Sequence, residues 1–109
     1  MKIPKSFRLK GKKWTVEYKW NLTDREDDGF KIKCDGLCVY QTRTIFIEHS
    51  MPRVDKWPVF LHELVHAILF EAHISGLDGP AGNMLEEVIA DAVADGMNDL
   101  FSIRWKRQR

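Results

Sequence analysis

The stretch Phe60-Leu61-His62-Glu63-Leu64-Val65-His66-Ala67-Ile68-Leu69-Phe70 decides how the chain is read, because two histidines and a glutamate interrupt an otherwise apolar helical pattern. At 3.6 residues per turn, His62 and His66 stand one above the other on a single face, so both imidazoles can reach one metal ion. Glu63 follows His62 directly. Its carboxylate falls beside the ligands, where it can take a proton from water held by the metal without filling a coordination position. The competing arrangement is a buried helix whose histidines are hydrogen-bonded within the core. Burying three polar groups among Leu, Val, Ala, Ile and Phe without partners costs several kcal/mol. One metal ion satisfies both histidines together, and that arrangement, HExxH, is the one preferred here.

Outward from this helix, the chain has room for one domain of 109 residues, with 44% hydrophobic and 30% charged residues, an ordinary balance for a soluble globular protein. Lys and Arg total 17 against 16 acidic residues. That near-neutrality gives no general pull toward nucleic acid or an anionic membrane. The start, Met1-Lys2-Ile3-Pro4-Lys5-Ser6-Phe7-Arg8, carries charge but no apolar signal region, and no apolar run reaches spanning length. An intracellular, cytoplasmic protein is expected. Cys34 and Cys38 lack the second pair that a four-cysteine zinc site requires, so they are expected to be reduced thiols.

Residues 1–50 are predicted to form the β-sheet part. Trp14, Val16, Tyr18 and Trp20 alternate with Lys13, Thr15, Glu17 and Lys19, the period of a half-buried strand. Lys10-Gly11-Lys12 supplies a turn, with Phe7 to Leu9 as a short partner strand. Asn21 to Gly29 is predicted as a solvated polar loop; its acidic spacing only faintly echoes a calcium loop. Leu37 to Tyr40 and Thr44 to Glu48 form a second hairpin across Gln41-Thr42-Arg43. The free edge of a strand ahead of this helix could pair with an extended peptide.

The HExxH helix is predicted over 55–72, capped at Asp55, with Pro58 in its first turn. Residues 73–83 carry three glycines and a proline and connect to a second helix over 84–103, capped by Asn83. Gly96 inside that helix is read as a place of close approach to the first helix.

Two histidines do not complete a catalytic zinc site, which usually has three protein ligands and one open position. The candidates for the third are His49, His73, Glu86, Glu87 and Asp91. His73 is one residue too far from His66 for the HExxHxxGxxH pattern, and Leu69 stands where that pattern has glycine. Glu87 is preferred. Asp91 follows one turn later on the same face, so Glu87 can bind the metal while Asp91 accepts the free ring N–H of a liganding histidine.

His62-Glu63-x-x-His66 followed by Glu87-x-x-x-Asp91 resembles the zincin metallopeptidases of the gluzincin type. The likeness extends to small zincin-like proteins of phages and prophages and, more distantly, to the ImmA/IrrE class. It covers residues 59–101 well and the preceding strands loosely. The resemblance implies an α+β, minimal zincin-like fold: a short twisted N-terminal β-sheet packed on the HExxH helix, and a second C-terminal helix. It also implies Zn2+ as cofactor, a peptide or protein substrate, a zinc metallopeptidase activity with Glu63 as general base, and a cytoplasmic setting in a bacterial or phage-infected cell. In larger proteins of this type a Tyr or His of a C-terminal subdomain often stabilises the oxyanion, and no such subdomain is expected here. Tyr40 and His73 are the possible substitutes.

Two rival functions belong to other classes. A phage-type, zinc-stabilised regulatory or inhibitory binding protein would keep the metal and hydrolyse nothing, although it would not need Glu63. A nucleic-acid-associated protein would use the basic tail Arg104-Trp105-Lys106-Arg107-Gln108-Arg109, which is otherwise a solvated helix end. The tail is the only hint of such a partner, and nucleic acid binding is not expected.

Overall fold

The computed structural model describes residues 2–25, 31–72 and 86–97. In chain order it has β1 (Ser6–Leu9), β2 (Lys12–Lys19), β3 (Thr23–Arg25), β4 (Lys31–Lys33), β5 (Gly36–Val39), β6 (Thr44–Glu48) and α1 (Arg53–Glu71), followed by α2 over residues 86–97. Strands come first and helices last, the segregated arrangement of an α+β fold.

Both predicted hairpins form. β1 pairs antiparallel with β2, and β5 pairs antiparallel with β6. The first turn places Lys10 and Gly11 at positive φ, 49° and 77°, as a tight hairpin turn requires. The second is a four-residue loop, Tyr40 to Arg43, that ends with Arg43 at φ 48°, a position usually given to glycine. Between the hairpins, β2 runs parallel to β6, with Val16 opposite Ile45 and Tyr18 opposite Ile47. The result is a mixed four-stranded sheet in the order β1-β2-β6-β5, with β5 at one edge.

One face of this sheet carries Phe7, Trp14, Val16, Ile45 and Ile47, and α1 lies across it with Phe60, Leu61 and Ala67. Trp14, Ile45, Ile47 and Leu61 are fully buried. Each aliphatic side chain so buried contributes about 1.5–3 kcal/mol. Ala94 of α2 closes the same cluster against α1, and the small side chains Ala90 and Ala94 allow that approach.

Four local expectations are corrected. The apolar side of β2 ends at Val16: Tyr18 and Trp20 are exposed, because the strand runs past the helix and they pack on His49 instead. Part of the predicted polar loop is a two-stranded ladder, Thr23–Arg25 against Lys31–Lys33, too polar to show apolar alternation. α1 begins two residues earlier than predicted, at Arg53 with Pro52 as N-cap, so Asp55 is a first-turn acid rather than the cap. Gly96 shows no close approach: among the described residues, a Cβ there would meet no atom within 4 Å. The predicted cap Asn83, residues 84–85 and 98–103, His73 and the tail 104–109 lie outside the described residues. Among the described residues no helix is long and apolar enough to cross a membrane.

Candidate metal centre

α1 presents His62, Glu63 and His66 toward α2, and α2 answers with Glu86, Glu87 and Asp91. The Nε2 atoms of His62 and His66 are 3.2 Å apart. The two oxygens of Glu87 lie 3.1 Å from His62 Nε2 and 2.9 Å from His66 Nε2. These three side chains form the cluster of possible metal ligands found among the described residues.

The opposite edges of both rings are occupied. His62 Nδ1 lies 2.7 Å from Asp91 Oδ1, and His66 Nδ1 lies 2.5 Å from Glu86 Oε1. Carboxylates can only accept, so each Nδ1 carries the proton and donates it. That fixes the tautomer: in the neutral rings both Nε2 atoms present lone pairs, toward each other and toward the Glu87 carboxylate. Three acceptor groups converging at about 3 Å repel unless a cation sits between them. Protonating an imidazole would supply one. A divalent metal would supply it for all three groups at once.

The donor set fits zinc. Two imidazole nitrogens and one carboxylate oxygen are typical of a catalytic zinc site with an open fourth position. Bonds of about 2.0–2.1 Å in tetrahedral geometry separate ligand atoms by about 3.3 Å, close to the three separations found here.

Glu63 stands apart from this triangle. Its side chain is 9% exposed and its Oε2 is 4.0 Å from His62 Nε2, too far for a hydrogen bond. Burial pushes its carboxyl up to about 7; His62 opposes that rise, while Glu87 and Asp24 add to it. A buried carboxyl near neutrality can both take and return a proton. Gly36, on the helix-facing side of β5, makes room for it. A Cβ at Gly36 would lie 2.6 Å from Val59 Cγ1 and 3.0 Å from Glu63 Cγ.

His62, Glu63, His66, Glu87 and Asp91 are brought together as their spacing suggested. Glu86, weighed as a possible ligand, instead receives the ring proton of His66. Tyr40, expected near the oxyanion, donates its hydroxyl to the same Glu86 oxygen at 3.2 Å and stacks on Phe70 with ring centroids 4.7 Å apart. Burial, with Cys38 and Glu86 nearby, raises the Tyr40 phenol and keeps it a donor. His49 stacks on Trp20, away from the centre. Cys34 and Cys38 are free, and burial raises both thiols.

Sequence reasoning weighed Glu86 only as a metal ligand, not as the acceptor of the His66 ring proton, and missed Gly36. The adjacent acids Glu86 and Glu87 signalled that both could face α1, since two neighbours on a helix diverge by about 100° and can straddle one histidine pair. Gly36 left no signal, because its role depends on how closely α1 crosses β5.

Comparison with protein-family models, with curated proteins and with solved structures finds no match to this chain.

Proposed function

We propose that this chain is a zinc-dependent metallopeptidase with a minimal zincin-like fold, in which His62, His66 and Glu87 hold the metal and Glu63 is the general base. The reading is carried by the triangle of His62 Nε2, His66 Nε2 and the Glu87 carboxylate, each histidine having its other nitrogen engaged by an acid. Zinc, when bound, supplies a Lewis acid that polarises the scissile carbonyl and eases ionisation of water. Glu63 accepts the proton of the attacking water and returns it to the leaving amine. Asp91 and Glu86 hold the two imidazoles in the tautomer that leaves Nε2 free. β5 is the edge strand nearest Glu63, so its open side offers backbone groups to an extended peptide.

The test separates metal from chemistry. Glu63→Gln is expected to keep one zinc per chain and to lose peptide hydrolysis by about 1,000-fold. Hydrolysis at wild-type rate in Glu63→Gln sinks the role of that residue. A second reading, a metal-stabilised regulatory or inhibitory binding protein, is favoured by one observation: Glu86 holds the Tyr40 hydroxyl, which removes an oxyanion donor. A zinc-loaded protein that cleaves no peptide in a diverse mixture would favour it.

A further inference from the structure

The two histidines are held by unlike neighbours. Asp91, which accepts the ring proton of His62, is 69% exposed, and Glu86, which accepts that of His66, is 17% exposed. His66 itself is buried. On the same Oε1, Glu86 also accepts the Tyr40 hydroxyl at 3.2 Å. Whatever fixes Tyr40 therefore bears on how firmly His66 is aimed.

Tyr40 is held at both ends. Its backbone carbonyl opens the turn after β5 by accepting from the Arg43 N–H at 3.2 Å. Its ring lies flat on Phe70, with centroids 4.7 Å apart and planes 9° from parallel. Phe70 stands in the last turn of α1, four residues after His66, so it continues the stripe of His62 and His66 about 6 Å further along the helix. Trp14 meets the Phe70 ring edge-on, with 6.3 Å between centroids. The contacts close a circuit: His66 to Phe70 along α1, Phe70 to Tyr40 by stacking, Tyr40 to Glu86 by a hydrogen bond, and Glu86 back to His66.

Burial alone is a poor account of Phe70. It is 37% exposed, whereas Phe60 and Leu61 of the same helix are buried. A leucine or methionine would cover similar apolar area, but only a flat ring holds the plane of another ring. The tilt of the Tyr40 ring sets where its oxygen lies, and the plane sets the direction of the donated hydrogen.

We propose that Phe70 is a positioning residue of the metal centre: by stacking on Tyr40 it aims the hydroxyl at Glu86, and so keeps His66 turned with Nε2 toward the two other ligands. Phe70 touches none of the ligand atoms and acts only through Tyr40 and Glu86. The inference rests on the metal site of the peptidase reading and is read without turnover.

Zinc affinity and the state of the His66 ring test it together. Full-length wild type, Phe70→Leu, Phe70→Met, Phe70→Tyr, Tyr40→Phe and the double variant Tyr40→Phe with Phe70→Leu are titrated with zinc against a chromophoric chelator. Phe70→Leu and Phe70→Met, which lose the flat face, are expected to bind zinc about fivefold more weakly, and Phe70→Tyr, which keeps it, at wild-type affinity. The double variant is expected to match Tyr40→Phe alone, because without the hydroxyl Phe70 has nothing left to aim. Wild-type affinity in Phe70→Leu and Phe70→Met, or the same fivefold loss on adding Phe70→Leu to Tyr40→Phe, overturns the proposal and leaves the zinc site standing. The imidazole nitrogens of the metal-free proteins are then read by NMR at a pH where the rings are neutral. His66 is expected as the Nδ1–H tautomer in wild type and Phe70→Tyr, and as a mixture of tautomers in Phe70→Leu. A wild type that takes up no zinc sinks the peptidase reading; a His66 ring unchanged by Phe70→Leu sinks the role of Phe70.

Discussion

Helix α1 carries two polar clusters about two turns apart, and they are built on opposite principles. At its C-terminal end Glu71 is buried, accepts from Arg43 Nε at 2.6 Å and from Trp14 Nε1 at 3.2 Å on one oxygen, and so has charge and donors matched. In its middle, His62 and His66 turn their bare nitrogens toward a carboxylate, and Glu87 is 57% exposed. The first cluster pairs a carboxylate with donors of the chain itself. The second leaves acceptors converging, and that is where we propose a cation sits. An internally neutralised cluster belongs to stability, and an arrangement of converging acceptors belongs to a ligand.

Arg43 shows how firmly the first cluster is imposed. It adopts φ 48°, which costs a non-glycine residue about 1 kcal/mol, and its side chain still reaches Glu71. Glu71→Ala would leave the Trp14 indole N–H buried without an acceptor and Arg43 without its partner. The expected loss is about 3 kcal/mol, read by denaturant unfolding, with metal content unchanged. Metal lost from a still-folded Glu71→Ala would show that the two clusters are coupled and break the comparison.

At the other cluster the expected cost falls on affinity instead. Glu86→Ala frees the His66 ring to rotate, and metal affinity is expected to drop about 10- to 100-fold by competition with a chelator. Tyr40→Phe removes only the second donor to Glu86, so a smaller drop in the same direction is expected. An unchanged affinity in both would assign Glu86 to packing alone.

Gly36→Ala probes the seam between sheet and centre. The added Cβ would press on Val59 within 2.6 Å, so α1 must shift by a fraction of an ångström. About 1–3 kcal/mol of stability is expected to be lost, with Glu63 displaced. Wild-type stability and wild-type turnover together would show that β5 does not set the position of Glu63.

The smallest effect lies outside both clusters. Backbone N–H groups of Ser50 and Leu22 bond the Glu48 carboxylate and hold its pKa below the ordinary value of 4.5. A lowered folded-state pKa means stability that is present above 4.5 and lost as pH falls through the folded value. Glu48→Gln is expected to flatten the acid limb of stability slightly below that pH. An identical acid limb in the variant would place the pH dependence elsewhere.

The contrast also shows what a sequence can disclose. His62, Glu63 and His66 were legible because helical spacing alone puts them on one face, and Glu87 and Asp91 were legible for the same reason one helix later. Both hairpins were legible from alternation and turn residues. The parallel pairing of β2 with β6 was not, since it joins strands far apart in sequence whose own patterns fit either direction. Nor was the Trp14–Glu71–Arg43 cluster, because each member looks ordinary alone: a strand tryptophan, a helix-end glutamate and a loop arginine. The hydrogen bond from Tyr40 to Glu86 depends on how α2 is rotated against α1. Spacing within one helix does not contain that angle.

The most direct measurement is metal content by mass spectrometry on protein purified without added metal, comparing wild type with Glu87→Ala and Glu71→Gln. One zinc per chain in wild type and in Glu71→Gln, absent from Glu87→Ala, is the result expected from the two clusters. No bound metal in any of the three, with folding indifferent to a chelator, would contradict the account and leave His62 and His66 as hydrogen-bond partners of their acids.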